Sequence, residues 1–316
     1  MPAHGLAVLA IGGNALIRDR SHESIPDQYE MVCGLAVDIA GMLETGWNVV
    51  VTHGNGPQVG FILRRSEIAI DEVTPVPMDY AGADIQGAVG YMFVKALHNE
   101  FQRRGMPRQA VAVVTQTVVD RKDPAFANPI KPIGSHMDEA RAKTLAAKFH
   151  WTVREDAGRG WRRVVPSPKP KAIIETEVIR ALAREGFVVV CCGGGGIPVI
   201  EDETGKLKGV EAVIDKDLAS SLLARQLGAE ALVLPTGVEK VALDFNKPTQ
   251  RWLDRMTLAE ARQHQRDDQF DAGSMGPKVA ALIDFVGGGG RLGLITNPPN
   301  VARALRGETG TRVVAN

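Results

Sequence analysis

The sequence predicts an α/β fold: a three-layer helix-sheet-helix sandwich around a mostly parallel central sheet, with a protruding subdomain over residues 119–167. Three observations carry this prediction. Short apolar runs alternate with longer segments whose apolar residues fall at helical spacing. Several of the runs are unbroken Val, Ile, Leu and Ala, the pattern of strands buried on both faces rather than one. Three run ends lead directly into glycine-rich loops, at the strand ends where open α/β sheets hold ligands.

In chain order, strands are expected at residues 6–11, 48–52, 110–117, 187–192, 231–235, 293–296 and 312–314. Helices are expected at 27–45, 83–104, 171–184, 215–227 and 277–286. Two stretches break the alternation. Residues 119–167 are rich in Pro, Arg, Lys and Asp and read as a lid within a single domain spanning 1–316. Residues 198–210 contain Glu203-Thr204-Gly205-Lys206, which reads as a hairpin turn. No internal repeat is evident.

Composition excludes several classes. A chain of 316 residues with 44% hydrophobic and 23% charged residues can bury a large core. Lys+Arg and Asp+Glu are both 37, so there is no electrostatic footprint of a nucleic-acid or polyanion binder, and any basic site must be local. Cys33, Cys191 and Cys192 are odd in number, and the adjacent pair lies in an apolar run, so neither disulfides nor a cysteine metal site is expected. No signal-like segment and no apolar stretch of about 18 residues is seen, and a cytoplasmic location is expected.

The glycine-rich loops are Gly12-Gly13-Asn14, His53-Gly54-Asn55-Gly56 and Gly193-Gly194-Gly195-Gly196, each after a predicted strand. Glycine there permits close backbone approach to an anion, although any one such loop equally suits a tight turn. The run Gly287 to Gly290 follows a helix and reads as a C-cap and loop. Two lysines head predicted helices, where the macrodipole disfavours a cation unless an anion lies nearby. In Asp215-Lys216-Asp217, Asp215 suits an N-cap, and the two carboxylates can hold the ammonium toward a phosphate. A solvated, salt-bridged helix start is the alternative. Lys278 follows Pro277, and Gly273-Ser274-Met275-Gly276 before it is expected to leave backbone amides free for a nucleotide. Positive charge on a transferred phosphoryl group is what a kinase requires. No Walker sequence, protein-kinase glycine loop or dinucleotide fingerprint is present in matching context.

The strings Ile11-Gly12-Gly13-Asn14-Ala15-Leu16, Val51 to Gly60, Gln86 to Met92, Asn128 to Gly134, Trp161 to Pro168, Ile214 to Ala219 and Ala272 to Lys278 resemble carbamate kinases, in order along almost the whole chain. The resemblance implies the amino acid kinase fold and reversible conversion of ATP and carbamate to ADP and carbamoyl phosphate. It implies that Gly12, Gly13, Asn14, Gly54, Asn55 and Gly56 surround carbamate and the transferred group. Lys216 and Lys278 would neutralise phosphates, Asp215 would orient the lysines, and Asp217, Thr236, Val238, Met275 and Gly276 would hold the nucleotide. Mg2+ would accompany ATP or ADP, with no dedicated protein metal site. Relatives in the wider fold carry a lysine just before the first glycine pair; this chain has Ala10-Ile11, and Lys131 from the lid looks like its replacement. The lid is implied to close over the site.

One departure stands out: after Lys131-Pro132-Ile133-Gly134 the family continues with Pro-Phe-Tyr or similar, whereas this chain has Ser135-His136-Met137. Drift in the lid and a changed acceptor both fit. His53 is read as structural, because carbamate is already anionic and loose phosphoryl transfer needs little base assistance. The alternatives are another kinase of this fold with a different small carboxylate or nucleotide acceptor, and a non-catalytic nucleotide-binding regulator. A homodimer is expected, with small-molecule substrates and no membrane or nucleic-acid partner.

Overall fold

The computed structural model describes residues 5–19, 21–156, 158–271 and 273–316, without the side chain of Asn14. Ala272, in one of the quoted strings, lies outside the described residues. The first half of the chain forms β1 (Leu6–Ile11), α1 (Ile25–Glu44), β2 (Asn48–His53), α2 (Gly56–Ile68), α3 (Met78–Arg104), β3 (Ala110–Ala112) and β4 (Gln116–Val119). The lid stretch contains β5 (Lys131–Met137), α4 (Glu139–Phe149), β6 (Thr152–Glu155) and β7 (Trp161–Val165). Next come β8 (Pro170–Ile173), α5 (Thr176–Arg184), β9 (Val188–Cys191), β10 (Ile197–Glu201), β11 (Leu207–Gly209), α6 (Lys216–Leu227) and β12 (Ala231–Pro235). The chain ends with β13 (Val241–Leu243), β14 (Arg251–Leu253), β15 (Arg255–Thr257), α7 (Leu258–Arg266), α8 (Met275–Gly287), β16 (Leu292–Thr296), α9 (Val301–Leu305) and β17 (Thr311–Val314).

The central sheet runs β15-β17-β16-β12-β1-β2-β9-β3, and only the β16–β17 pairing is antiparallel. Its unbroken apolar strands divide by alternate residues, since successive side chains point to opposite faces. Ala7, Leu9, Ile11, Val49 and Val51 join a core with α1 and α3, while Val8, Ala10 and Val50 join a second core with α6 and α8. Both faces are covered, which makes the three layers. The lid strands form their own antiparallel sheet, β5-β7-β6. The Asp202–Lys206 turn closes the expected hairpin between β10 and β11.

The strand expected at 110–117 is broken into two, β3 in the central sheet and β4 in a second sheet. Gln86 of α3 explains the break. Its amide accepts from the N–H of Thr115 at 2.7 Å, taking the donor a continuing ladder would use, and donates to the Thr115 carbonyl at 3.1 Å, which also accepts from the Ile197 N–H of β10 at 2.8 Å. The helix expected at 171–184 begins only at Thr176, because Ile173 and Ala172 pair with β4. Four further helices, α2, α4, α7 and α9, were not expected. The Gly-Pro start of α2 looks like a turn, yet Pro at a first helical position is pre-set for it. Gly288 caps α8, so the glycine run at 287–290 serves as the expected C-cap and loop.

Candidate active site

The carboxyl ends of β1 and β2 are adjacent, and their loops touch. The Gly54 N–H donates to the Ile11 carbonyl at 2.8 Å. A Cβ on Gly54 would sit 2.6 Å from the Gly13 nitrogen and 3.3 Å from Cδ of Lys216, so no larger residue fits there without moving backbone. On the third loop, Gly194 has φ +68° and a Cβ there would meet the Asn55 side chain at 2.2 Å. All three loops therefore meet around Gly54 and Asn55. The opposite side is open: a Cβ on Gly12 or Gly56 would meet nothing within 4 Å. Asn55 caps α2 without a side-chain hydrogen bond, so the first amides of that helix face this opening without a side-chain cap. The missed residue here is Gln58, buried, which donates to Gln28 at 3.1 Å and weakly to the Gly13 carbonyl at 3.4 Å.

Lys216 and Lys278 converge on one carboxylate. Lys278 Nζ lies 3.1 Å from Asp217 Oδ2, and Lys216 Nζ pairs with Asp217 Oδ1 while donating to the Ala10 carbonyl at 3.1 Å. Asp217, expected on the nucleotide side, is the carboxylate that pairs with both lysines. Asp215, expected to orient the lysines, is the N-cap of α6, accepts from the amides of Asp217 at 2.9 Å and Leu218 at 3.2 Å, and adds its field to Lys216 without pairing with it. The physical reason is helical geometry: an N-cap side chain folds back on its own first turn, whereas the next acidic residue points off the helix. Burial pulls Lys216 below the usual lysine range, opposed by Asp217. Burial pushes the Asp217 carboxyl up, but the two lysines outweigh it and leave it below its ordinary value. Thr52 and Ser220 hydroxyls, 2.7 Å apart, tie α6 to β2 beneath this cluster.

A cavity of about 570 Å³ adjoins the head of α8 and is lined by Thr236, Val238 and Met275, with Phe245, Trp252 and Phe270 as aromatic walls. Three of the expected nucleotide residues are gathered there; Gly276 and Asp217 are not among its lining. The Gly273 to Gly276 amides are also less free than expected. Asp271 takes three of them: Gly276 N–H at 2.8 Å and Ser274 N–H at 3.3 Å through its carbonyl, and Gly273 N–H at 3.0 Å through its carboxylate. Asp271, Phe245 and Trp252 carried no motif in the sequence; only contact across the cavity marks them.

His53 is buried, with Nδ1 3.0 Å from the Gly54 carbonyl and its ring stacked on Phe93. Burial depresses its pKa to about 4, so it is neutral at pH 7 and braces the loop. Lys131 begins β5 and is exposed, and its side chain makes no hydrogen bond or ion pair with the described residues. His136, in the departing segment, pairs with Asp156 at 2.8 Å within the lid. Among the described residues no three His, Cys, Asp or Glu side chains come together in a way that could hold a metal, and no helix is long and apolar enough to cross a membrane.

A profile of the amino acid kinase family matches residues 5–297. A carbamate kinase of Pyrococcus horikoshii is 47% identical over 308 residues, covering 97% of this chain and 98% of the relative. The carbamate kinase-like protein YahI of Escherichia coli is 48% identical, covering 98% of each. Among solved structures, a carbamate kinase of Giardia lamblia bound to AMP-PNP is 42% identical, with a TM-score of 0.95 over 99% of both chains. The chain belongs to the amino acid kinase family, among its carbamate kinases.

Proposed function

We propose that this chain transfers a phosphoryl group reversibly between ATP and carbamate, and that it works toward ATP from ADP and carbamoyl phosphate. The observation that carries the reading is the pair of lysines held on Asp217 beside the Gly54 loop, between an opening lined by backbone amides and a cavity suited to a nucleotide. Carbamate, a small planar anion, would lie at the Gly12 and Gly56 opening, with the nucleotide in the cavity of Thr236, Val238 and Met275. Lys216 and Lys278 would stabilise charge on the phosphates as it moves between leaving and attacking oxygens, the contribution that dominates phosphoryl transfer. Asp217 would keep both ammonium groups in place before substrate arrives, so little reorganisation is needed at the reaction itself. Lys131 would arrive with the lid. Neutral His53 removes no proton in this scheme.

Mg2+ would enter with the nucleotide, neutralising phosphate charge. The residues present fit that arrangement: the nearest carboxylate, Asp217, is committed to two lysines, which leaves the nucleotide phosphates as the main ligands. A homodimer belongs to the same reading, supported by the exposed Tyr80 and Tyr91, three helical turns apart on one side of α3. Occurrence in the cytoplasm is likewise proposed.

The test is phosphorylation of an acceptor panel by magnesium ATP, with carbamate formed from ammonia and bicarbonate. Carbamate is expected to give the highest specificity constant, with acetylglutamate, aspartate and uridylate rejected. A larger amino acid or nucleotide ahead of carbamate would favour a different acceptor, which the Ser135-His136-Met137 departure and the name of the YahI relative keep in view. A purely regulatory chain has no need of two lysines on a shared carboxylate, and absence of turnover with every acceptor is the outcome that would favour it.

A further inference from the structure

Away from the crevice, one arginine is buried where the lid meets the body. Arg163 on β7 is 8% exposed and stands directly opposite Ile133 in the β5–β7 ladder. Its guanidinium pairs with Glu211 of the body and lies over the ring of Trp151, 4.4 Å from its centroid. Glu211 also accepts from the N–H of Met78, the first residue of α3, at 3.0 Å. Glu67 of α2, with 9% of its side chain exposed, adds its field to the same charge. The lid is thus tied through one cation to Glu211, which holds the start of α3, and that cation lies in the field of α2, the helix that grows out of the Gly54 loop.

Strand geometry connects this fastening to Lys131. Residues two apart in a strand share a face. Lys131 therefore stands on the side of β5 that buries Ile133, and the opposing Val165 stands on the side of β7 that buries Arg163. Ile133 and Val165 both belong to the core beneath the central sheet, so this is the face turned toward the body. Beside the fastening, a cavity of about 400 Å³ separates residues 74–77 from Phe149 and Trp151. Apolar packing alone leaves the joint incompletely filled.

We infer that Arg163 is a positioning residue for Lys131: by tying the β5–β7 hairpin to Glu211 and the start of α3, it sets where the Lys131 ammonium meets the phosphoryl group. This rests on the catalytic part proposed above for Lys131. Displacements on the order of 1 Å at a distant support can cost up to about 100-fold in turnover.

The experiment is ATP formation from ADP and carbamoyl phosphate by Arg163→Met, Arg163→Lys, Glu211→Gln, Lys131→Ala and the Lys131→Ala/Arg163→Met and Lys131→Ala/Glu211→Gln double variants. Arg163→Met is expected to lower kcat by about tenfold with KM for ADP unchanged, because the nucleotide cavity lies in the body. Arg163→Lys should recover part of the loss, since an ammonium can pair with Glu211 but lacks the planar fork. On the Lys131→Ala background the same arginine substitution should cost less than about twofold, the signature of two residues acting as one unit. Wild-type kcat in Arg163→Met, or a loss that multiplies fully with that of Lys131→Ala, overturns the inference. Full turnover by Lys131→Ala overturns the role of Lys131 and this inference with it, a failure recognisable from that single variant. If Arg163→Met does not fold, Glu211→Gln decides: its half-exposed carboxylate can be neutralised gently, and a fall of about threefold that disappears in the Lys131→Ala background supports the inference. An equal fall in both backgrounds refutes it.

Discussion

Lys216 and Lys278 expose only 14% and 15% of their side chains and share the carboxylate of Asp217, whereas Lys131 stands exposed at the start of β5 with no partner among the described residues. The first pair is a charge site assembled by folding. Two ammonium groups in a buried place are tolerated because a carboxylate sits between them, and the desolvation cost is met when the core forms. In the proposed scheme the third lysine keeps its water until the lid brings it in. A site with all three cations fixed in the crevice would carry a surplus of buried positive charge without substrate; holding one on a separate sheet avoids this. The same contrast appears in the glycines. Around Gly54 they are enforced by backbone contact, while in the lid a Cβ on Gly134 would meet only the end of the Glu67 side chain.

The sharpest way to break the comparison is to remove the shared carboxylate. Asp217→Asn leaves two buried cations without their counter-charge, and a loss of about 3 kcal/mol or more in unfolding free energy is expected by urea denaturation at pH 7. A change below about 1 kcal/mol would mean that the crevice is not pre-organised in the sense argued. Next, Lys216→Ala and Lys278→Ala are each expected to cost about 100-fold in turnover, roughly 3 kcal/mol of transition-state stabilisation, with the fold retained. Near-normal turnover in either variant removes that lysine from the phosphate site.

A comparable effect should appear as a pH dependence at His53. The unfolded imidazole takes up a proton below its ordinary value of 6.5, while the folded one, depressed by burial, does so only near pH 4. The unfolded state therefore binds more protons in that window, and stability falls as pH drops through it, by about 2 to 3 kcal/mol at pH 4.5. His53→Gln should lose correspondingly less between pH 7 and 4.5 than the parent chain; identical acid losses in the two would show that His53 is not held neutral. The smallest effect is expected in the lid. Arg159 is 66% exposed in the turn before β7, whereas Arg162 and Arg163 are 22% and 9% exposed, so trypsin should cut at Arg159 first. ADP with carbamoyl phosphate should slow that cut about twofold or more, and equal rates with and without ligands would count against closure.

The Val, Ile, Leu and Ala runs were enough to read the central strands of the sandwich from the sequence, because a strand buried on both faces leaves no room for polar residues. The glycine loops and the two lysines were equally legible: backbone contact at Gly54 and Gly13 demands a residue type that local sequence displays. The tertiary structure alone decided three things. It split the strand at 110–117, because the amide that captures Thr115 comes from Gln86 on another helix. It decided which of Asp215 and Asp217 pairs with the lysines, since both are acidic residues at a helix start and only the arrival of Lys278 from α8 tells them apart. It placed Arg163 against Glu211, Trp151 and Glu67. Residue types and local spacing are written along the chain, but which charge meets which is settled by elements brought together from far apart in it, and there the sequence by itself falls silent.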